Sequence, residues 1–277
     1  MKNLDKIFSL KNRIIVITGA AGLLGQEHAY SVAMAEGTPI LIDINKEKVD
    51  NLAKELNKKY SVDAIGYKVD ITNEKEIINN TKKIITRYKK IDGLVNNAAN
   101  NPKIEEESKK NFSRLENFPQ NLWNEDISVG LTGTYLCLKH YGFQISKNSD
   151  GGSIVNISSD LGLIAPDQRL YLKSNYKKND QPVKPVTYSV VKSGVIGLTR
   201  YVATYWADQN VRCNVICPGG VNNGQPKDFL KKIHKRIPMG RLANSDEYQG
   251  TLIWMLSDAS SYLNGAIIPV DGGRTVW

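Results

Sequence analysis

The chain lacks paired cysteines, a long apolar run and a concentrated basic stripe, and each absence narrows what it can be. Its three cysteines are Cys137, Cys213 and Cys217, and the last two are separated by three residues, not two. That spacing forms neither a metal-like nor a redox pair, so no metal site is expected and the thiols read as buried small side chains in a reducing compartment. No apolar stretch is long enough to span a membrane, and "MKNLDKIFSLKNRIIVITG" lacks the apolar core and cleavage site of a signal peptide. A cytoplasmic protein is expected. The net charge of +9 is spread as lysine among acids in segments such as "NKEKVDNLAKELNKKY", as on solvated helix faces, and no aromatic-plus-basic strand pattern for stacking bases accompanies it. Nucleic acid is therefore not an expected partner, while a basic mouth for a small anion stays open. No internal repeat occurs beyond the alternation described next.

What the chain has is alternation. "RIIVIT" (13–18), "PILID" (39–43), "AIGYKVD" (64–70), "IDGLVNNAA" (91–99), "GSIVNIS" (152–158), "VRCNVICPG" (211–219) and "AIIPVDGG" (266–273) read as buried strands. Helical stretches lie between them: one to about Gly37, one over 45–60 with Val49, Leu52, Ala53 and Leu56 on one face, one over 74–89, and one from about Thr187 to Asp208. This order predicts an α/β fold: a single doubly wound Rossmann domain over 1–277, its central parallel sheet flanked by helices. Two polar, proline-bearing segments break the rhythm, 100–120 and 166–186, and both follow the carboxyl ends of strands, where open α/β sheets bind ligands. They read as a lid and a specificity wall near the substrate site, or as solvated loops.

"ITGAAGLLG" (17–25) places Gly19, Gly22 and Gly25 after the first strand and at the start of a helix. Glycines there let the backbone approach a pyrophosphate, and the free helix amides favour its charge. Asp43, 24 residues after Gly19 at the end of the second strand, can accept both ribose hydroxyls of NAD. Against a 2′-phosphate its charge would be repulsive by roughly 4 kcal/mol at about 4 Å and an effective dielectric near 20, on the order of a thousandfold. The cofactor expected is NAD. Asn45 can cap the following helix, which leaves Asp43 available for that role.

With "VDIT" (69–72), "NNAA" (96–99), "NISS" (156–159), "YSVVK" (188–192), "CPGG" (217–220) and "VDGG" (270–273) following the glycine turn in order, the chain resembles the short-chain dehydrogenase/reductase family over nearly its whole length. The resemblance implies catalytic roles for Ser159, Tyr188 and Lys192. It implies cofactor contacts at Gly19, Gly22, Leu23, Leu24, Gly25, Asp43, Ile44, Asp70, Ile71, Asn97, Ala98 and Ala99. Further contacts would come from Tyr188, Lys192, Pro218, Gly219, Val221 and Asn223. It also implies a homodimer or homotetramer paired through 121–147 and 187–208. Three departures stand out. The 19/22/25 glycine spacing is that of the family's extended branch, whereas the length and other motifs fit the shorter branch, which has no separate C-terminal substrate domain. Gly130 stands where an asparagine usually helps relay protons, so the chain has either room for an extra water or an impaired relay. Asn223 stands where a threonine commonly meets the nicotinamide carboxamide.

Tyr188 and Lys192 share a helix face at i and i+4. A phenol with a pKa about 10 is a poor base, but an ammonium about 4–5 Å away is worth up to roughly 3–4 kcal/mol at an effective dielectric of 20. With the positive nicotinamide of NAD⁺ acting in the same direction, Tyr188 is expected to be a phenolate near pH 7. It would then take a hydroxyl proton as hydride leaves the same carbon, with Ser159 holding the substrate oxygen.

For the substrate, Arg169, Lys173, Lys177, Lys178 and Lys184, with Tyr171 and Tyr176 between them, suit an anionic, hydroxyl-rich small molecule such as a sugar phosphate or nucleotide sugar; they equally suit a loop kept soluble. "IAPDQRLY", "VKPVTYSVVKSG" and "VDGGRTVW" resemble oxidoreductases associated with bacterial flagellin glycosylation and nonulosonic acid sugars. The expectation is an NAD-dependent oxidoreductase interconverting a secondary alcohol and a ketone. The alternatives are a non-catalytic NAD-binding regulatory protein and a sugar epimerase or dehydratase that keeps its NAD.

Overall fold

The structure, a computed structural model, describes residues 3–100, 113–174 and 176–277. After a short helix, α1 (Leu4–Phe8), the chain runs β1 (Ile14–Thr18), α2 (Leu23–Met34), β2 (Thr38–Asp43), α3 (Lys46–Tyr60), β3 (Ile65–Lys68), α4 (Glu74–Tyr88) and β4 (Gly93–Asn96). A long helical stretch over 120–145 follows, made of α5 (Gln120–Ile127), α6 (Gly133–Cys137) and α7 (Phe143–Ile145) joined by two π turns, Ser128–Thr132 and Leu138–Gly142. Then come β5 (Gly152–Ile157), α8 (Val186–Tyr205), β6 (Val211–Pro218), α9 (Lys227–His234), α10 (Gln249–Leu256) and β7 (Ile267–Val270).

Among the described residues the seven strands are all parallel, in the order β3-β2-β1-β4-β5-β6-β7. The order reverses between β1 and β4, so their carboxyl ends part and leave a crevice. The strands read as unbroken apolar runs because both faces are covered. Along β1, Ile14 and Val16 pack with Ile77, Ile84, Leu136 and Tyr141 on one side. Ile15 and Ile17 pack with Ala29, Val32, Leu52 and Leu256 on the other.

Local chemistry sets the helix ends. The Asn45 side chain accepts from the Lys48 amide at the start of α3 (3.0 Å), and the expected face of that helix, Val49, Leu52, Ala53 and Leu56, is the buried one. Asn73 accepts from the Lys75 amide at the start of α4 (3.2 Å). The one-domain, doubly wound architecture is as the sequence predicts. Among the described residues, no helix is long and apolar enough to cross a membrane.

One buried group stands outside this apolar packing. His28 on α2 is 1 % exposed, and neither ring nitrogen has a hydrogen-bond partner among the described residues. Burial holds its pKa down, from 6.5 to about 4, because the imidazolium would lose its hydration. The neutral ring is therefore the folded form. As pH falls from 6.5 towards 4, the unfolded chain takes a proton that the folded chain refuses, and stability declines by up to about 3 kcal/mol. His28→Leu should lose about that much less unfolding free energy between neutral pH and about pH 4, measured by denaturant titration. Equal losses in both proteins would contradict this.

Candidate active site

The crevice opens into a cleft of about 1770 Å³ above the carboxyl ends of the strands. At one end the chain leaves β1 through Gly19, which has φ +63°, and Gly22 caps α2. A Cβ on Gly19 would lie 2.8 Å from the Ala98 Cα, so glycine is required there by both conformation and space. The turn is held from β4: the Asn97 side-chain amide donates to the Thr18 and Gly19 carbonyls (3.0 and 3.1 Å), and the Asn97 and Ala98 amides donate to the Thr18 hydroxyl. Gly19, Gly22, Leu23, Leu24, Asn97, Ala98 and Ala99 all line the cleft. Gly25 does not. Its added Cβ would lie 2.0 Å from the Gly19 carbonyl oxygen, so its part is to let α2 pack under the turn rather than to touch a ligand.

Asp43 ends β2 beside this turn, where its carboxylate accepts from the Ala21 amide (3.0 Å) and the Asn45 amide (2.9 Å). Ile44, Asp70 and Ile71 complete that end of the cleft. One Asp70 oxygen is taken by the Thr72 amide and hydroxyl (2.8 and 2.7 Å). Among the described residues, no lysine or arginine lines the cleft wall beside Ile44, Asp70 and Ile71. Of the lysines near Asp43, Lys46 is paired with Asp50, and Lys68, its register partner on β3, is exposed and off the wall. The open glycine cradle, the helix amides behind it and a fixed carboxylate fit a dinucleotide.

β5 delivers Ser159 to the cleft and α8 delivers Tyr188 and Lys192. The Lys192 ammonium is buried and donates to the Ile157 carbonyl (2.9 Å). It lies 5.9 Å from the Tyr188 ring centre, whereas the Lys184 ammonium lies 3.7 Å above that ring. Burial lowers the pKa of both lysines to about 8. Burial is the larger effect on Tyr188 and raises its pKa, with Asp160 pushing the same way and Ser159 and Arg274 opposing. The expectation that Lys192 stands close enough to make this phenol acidic is therefore corrected for the protein alone: desolvation wins.

On the far side of Tyr188, Pro218, Gly219, Val221 and Asn223 follow β6 along the cleft wall. Gln225 fixes this stretch, accepting from the Asn223 amide (2.9 Å) and donating to the Val221 carbonyl (2.6 Å). Of the five basic side chains expected to border the substrate, Lys173 and Lys184 line the cleft, and Tyr171 lines it too. Arg169 points away into an ion pair with Asp167 (2.7 Å), and Lys177, Lys178 and Tyr176 are off the wall. Residues 101–112 of the other expected loop lie outside the described residues. Ser113 accepts from the Val183 amide (3.1 Å), tying its end to the 166–186 segment.

The sequence reading missed α9, whose Lys231 and Lys232 face the same space; the Lys232 ammonium donates to the Leu172 carbonyl (2.6 Å). "KDFLKKIH" carried an amphipathic signal in a short stretch. It also missed Asp160 and Arg274, which meet across 114 residues of chain. Gly130 sits in the first π turn of the long helical stretch, a feature common at functional sites. A cavity of about 10 Å³ lies there, lined by Asp126, Gly130, Lys184, Tyr188 and Lys192 among others. That is the lower limit for one water.

The crevice at the strand-order reversal is thus lined by the glycine turn at one end and by Ser159, Tyr188 and Lys192 further along. A family profile described as enoyl-(acyl carrier protein) reductase matches residues 19–275. An NADP-dependent mannitol dehydrogenase of Alternaria alternata is 31% identical over 280 residues, covering 99% of this chain and 96% of that one. Post-translational flagellin modification protein A of Campylobacter coli is 27% identical over 266 residues, covering 95% and 98%. The crystal structure of a short-chain type dehydrogenase/reductase from Mycobacterium marinum superposes with a TM-score of 0.84 at 22% identity over 99% of both chains, a likeness of fold. The chain belongs to the short-chain dehydrogenase/reductase family. It is an enzyme of that family acting on CH–OH donors, and the family binds a nicotinamide cofactor.

The geometry at Gly130 sets one expected outcome. A Cβ there would meet the Val191 Cγ1 at 2.5 Å, so Gly130→Asn must displace the Val191 side chain or α8 itself. Overpacking of this kind costs about 1–3 kcal/mol, and thermal unfolding should show a Tm lower by several degrees. An unchanged Tm would show that the glycine is not demanded by packing.

Proposed function

We propose that this enzyme interconverts a secondary alcohol and a ketone using NAD, with Tyr188 as acid/base. The single observation that carries the reading is the convergence of Ser159, Tyr188 and Lys192 on one cleft with the Gly19–Leu24 turn and Asp43. NAD rather than NADP is supported by the Asp43 carboxylate, which is fixed by two amides and has no basic side chain beside it on the cleft wall. The mannitol dehydrogenase relative uses NADP by its name; in this chain a 2′-phosphate would face the Asp43 carboxylate, which repels it.

Gly19, Gly22, Leu23 and Leu24 would hold the pyrophosphate, Asp43 and Ile44 the adenosine ribose, and Asp70 and Ile71 the adenine. Asn97, Ala98 and Ala99 would lie along the cofactor, and Pro218, Gly219, Val221 and Asn223 around the carboxamide. Bound NAD⁺ supplies the hydride acceptor. Ser159 holds the substrate oxygen, Tyr188 takes its proton, and Lys192 grips the nicotinamide ribose. Because burial holds the Tyr188 proton on in the protein alone, Tyr188 would release it only once a positive ring lies beside it.

The substrate we favour is a small anionic, hydroxyl-rich molecule, a phosphorylated or nucleotide-linked sugar or a sugar acid. Lys173, Lys184, Lys231 and Lys232 along the cleft wall support that reading. On this reading the whole of 1–277 is one catalytic domain, with 166–186 as the substrate wall, acting in the cytoplasm as a homodimer or homotetramer.

The test is an NADH-absorbance assay of wild type and Tyr188→Phe across phosphorylated and nucleotide-linked sugars. Wild type should turn over at least tenfold faster per unit of NAD⁺ than of NADP⁺, and Tyr188→Phe should lose turnover while binding NAD⁺ nearly unchanged. Turnover retained in Tyr188→Phe would remove the mechanism, and equal efficiency with the two cofactors would remove the argument from Asp43.

A further inference from the structure

Behind Ser159 stands a buried acid that the reaction just described does not use. Asp160 is 3 % exposed and Arg274, in the C-terminal turn, 8 %. The Arg274 guanidinium donates to one Asp160 oxygen (2.6 Å). The other Asp160 oxygen accepts from the Ser159 hydroxyl (2.8 Å) and from the Leu161 amide (2.8 Å). The Leu161 amide also reaches the Ser159 oxygen (3.2 Å). A serine hydroxyl has one proton to donate, so while it points at Asp160 it cannot point at the oxygen of Tyr188 or of a substrate.

We propose that Asp160, pinned by Arg274, is a positioning residue that sets the direction of the Ser159 hydroxyl, so that the C-terminal turn takes part in the active site. This rests on the reading of Tyr188 as acid/base. With Tyr188 protonated, the Ser159 hydroxyl donates to Asp160. When Tyr188 gives up its proton, the Ser159 hydroxyl turns to donate to the phenolate, and Asp160 keeps its bonds from Arg274 and the Leu161 amide. The negative charge of Asp160 opposes that change and the positive charge of Arg274 favours it, as the two residues' effects on Tyr188 run. The two charges of the pair thus act on Tyr188 in opposite directions while the pair fixes the serine. Breaking a buried pair leaves one uncompensated charge, and the sign of that charge depends on which partner goes.

Other charged and titratable groups share this space. Lys184 lies over the Tyr188 ring and Lys192 behind it. Tyr171, Cys217 and Tyr248 also feel the Asp160 charge. Removing the Asp160 charge moves those groups as well, so Tyr188 is read only from the difference between each variant and the same variant carrying Tyr188→Phe.

The test titrates tyrosinate ultraviolet absorbance of the NAD⁺-bound protein, with the same protein carrying Tyr188→Phe subtracted, for wild type, Asp160→Asn and Arg274→Gln. The Tyr188 midpoint should fall by about one pH unit in Asp160→Asn and rise by about one in Arg274→Gln, with Arg274→Lys returning it towards wild type. A purely structural pair would lower Tm in both variants and leave the midpoints together, or move them the same way; either result overturns the proposal. Loss of the NAD⁺-bound fold in Arg274→Gln would leave the Asp160→Asn shift, of fixed sign, to decide. Failure here is separate from failure of the acid/base reading, which is judged by turnover of Tyr188→Phe alone.

Discussion

Lys192 reaches from α8 to donate to the Ile157 carbonyl, at the last residue of β5, and this buried contact ties together the two elements that carry Tyr188 and lead to Ser159. It brings a positive charge to a place where burial opposes it, which is why the Lys192 pKa drops to about 8. The same burial raises the pKa of Tyr188. A site built this way keeps Tyr188 protonated and Lys192 only moderately basic until another charge arrives. On the proposed mechanism that arrangement is useful: the acid/base group changes state when the cofactor is in place.

The scaffold makes this arrangement possible with few special residues. Strand order reverses between β1 and β4, and that opens the crevice. Gly19 and the Asn97 side chain shape its floor, while α9 and the 166–186 segment supply the opposite wall. The π turn at Ser128–Thr132 lets Gly130 meet Val191 of α8 without a side chain between them.

Much of this was legible in the chain. The buried strands announced themselves as apolar runs because a parallel sheet covered on both faces needs them. The glycine turn and Asp43 were legible because their demands are local: a positive φ at Gly19, and a carboxylate at a strand end. Tyr188 and Lys192 were legible as a spacing, but not as an electrostatic state. Their i, i+4 relation says they share a face; it does not say how far water is excluded or that Lys184 comes closer to the ring. Asp160 and Arg274 were hidden for another reason, since their pairing is made only by the folded sheet, 114 residues apart in sequence. Gly25, a motif glycine, packs α2 under the turn and lies off the cleft wall, a placement its spacing alone did not specify.

The claim that a bound positive ring is what frees the Tyr188 proton is tested most directly by calorimetry of NAD⁺ binding. Titrations at mildly alkaline pH, in buffers of different ionisation enthalpy, give the number of protons released on binding. The account predicts that wild type releases more protons than Tyr188→Phe, and that NADH, whose ring is neutral, abolishes the difference. Identical proton release by the two proteins with NAD⁺ would contradict it.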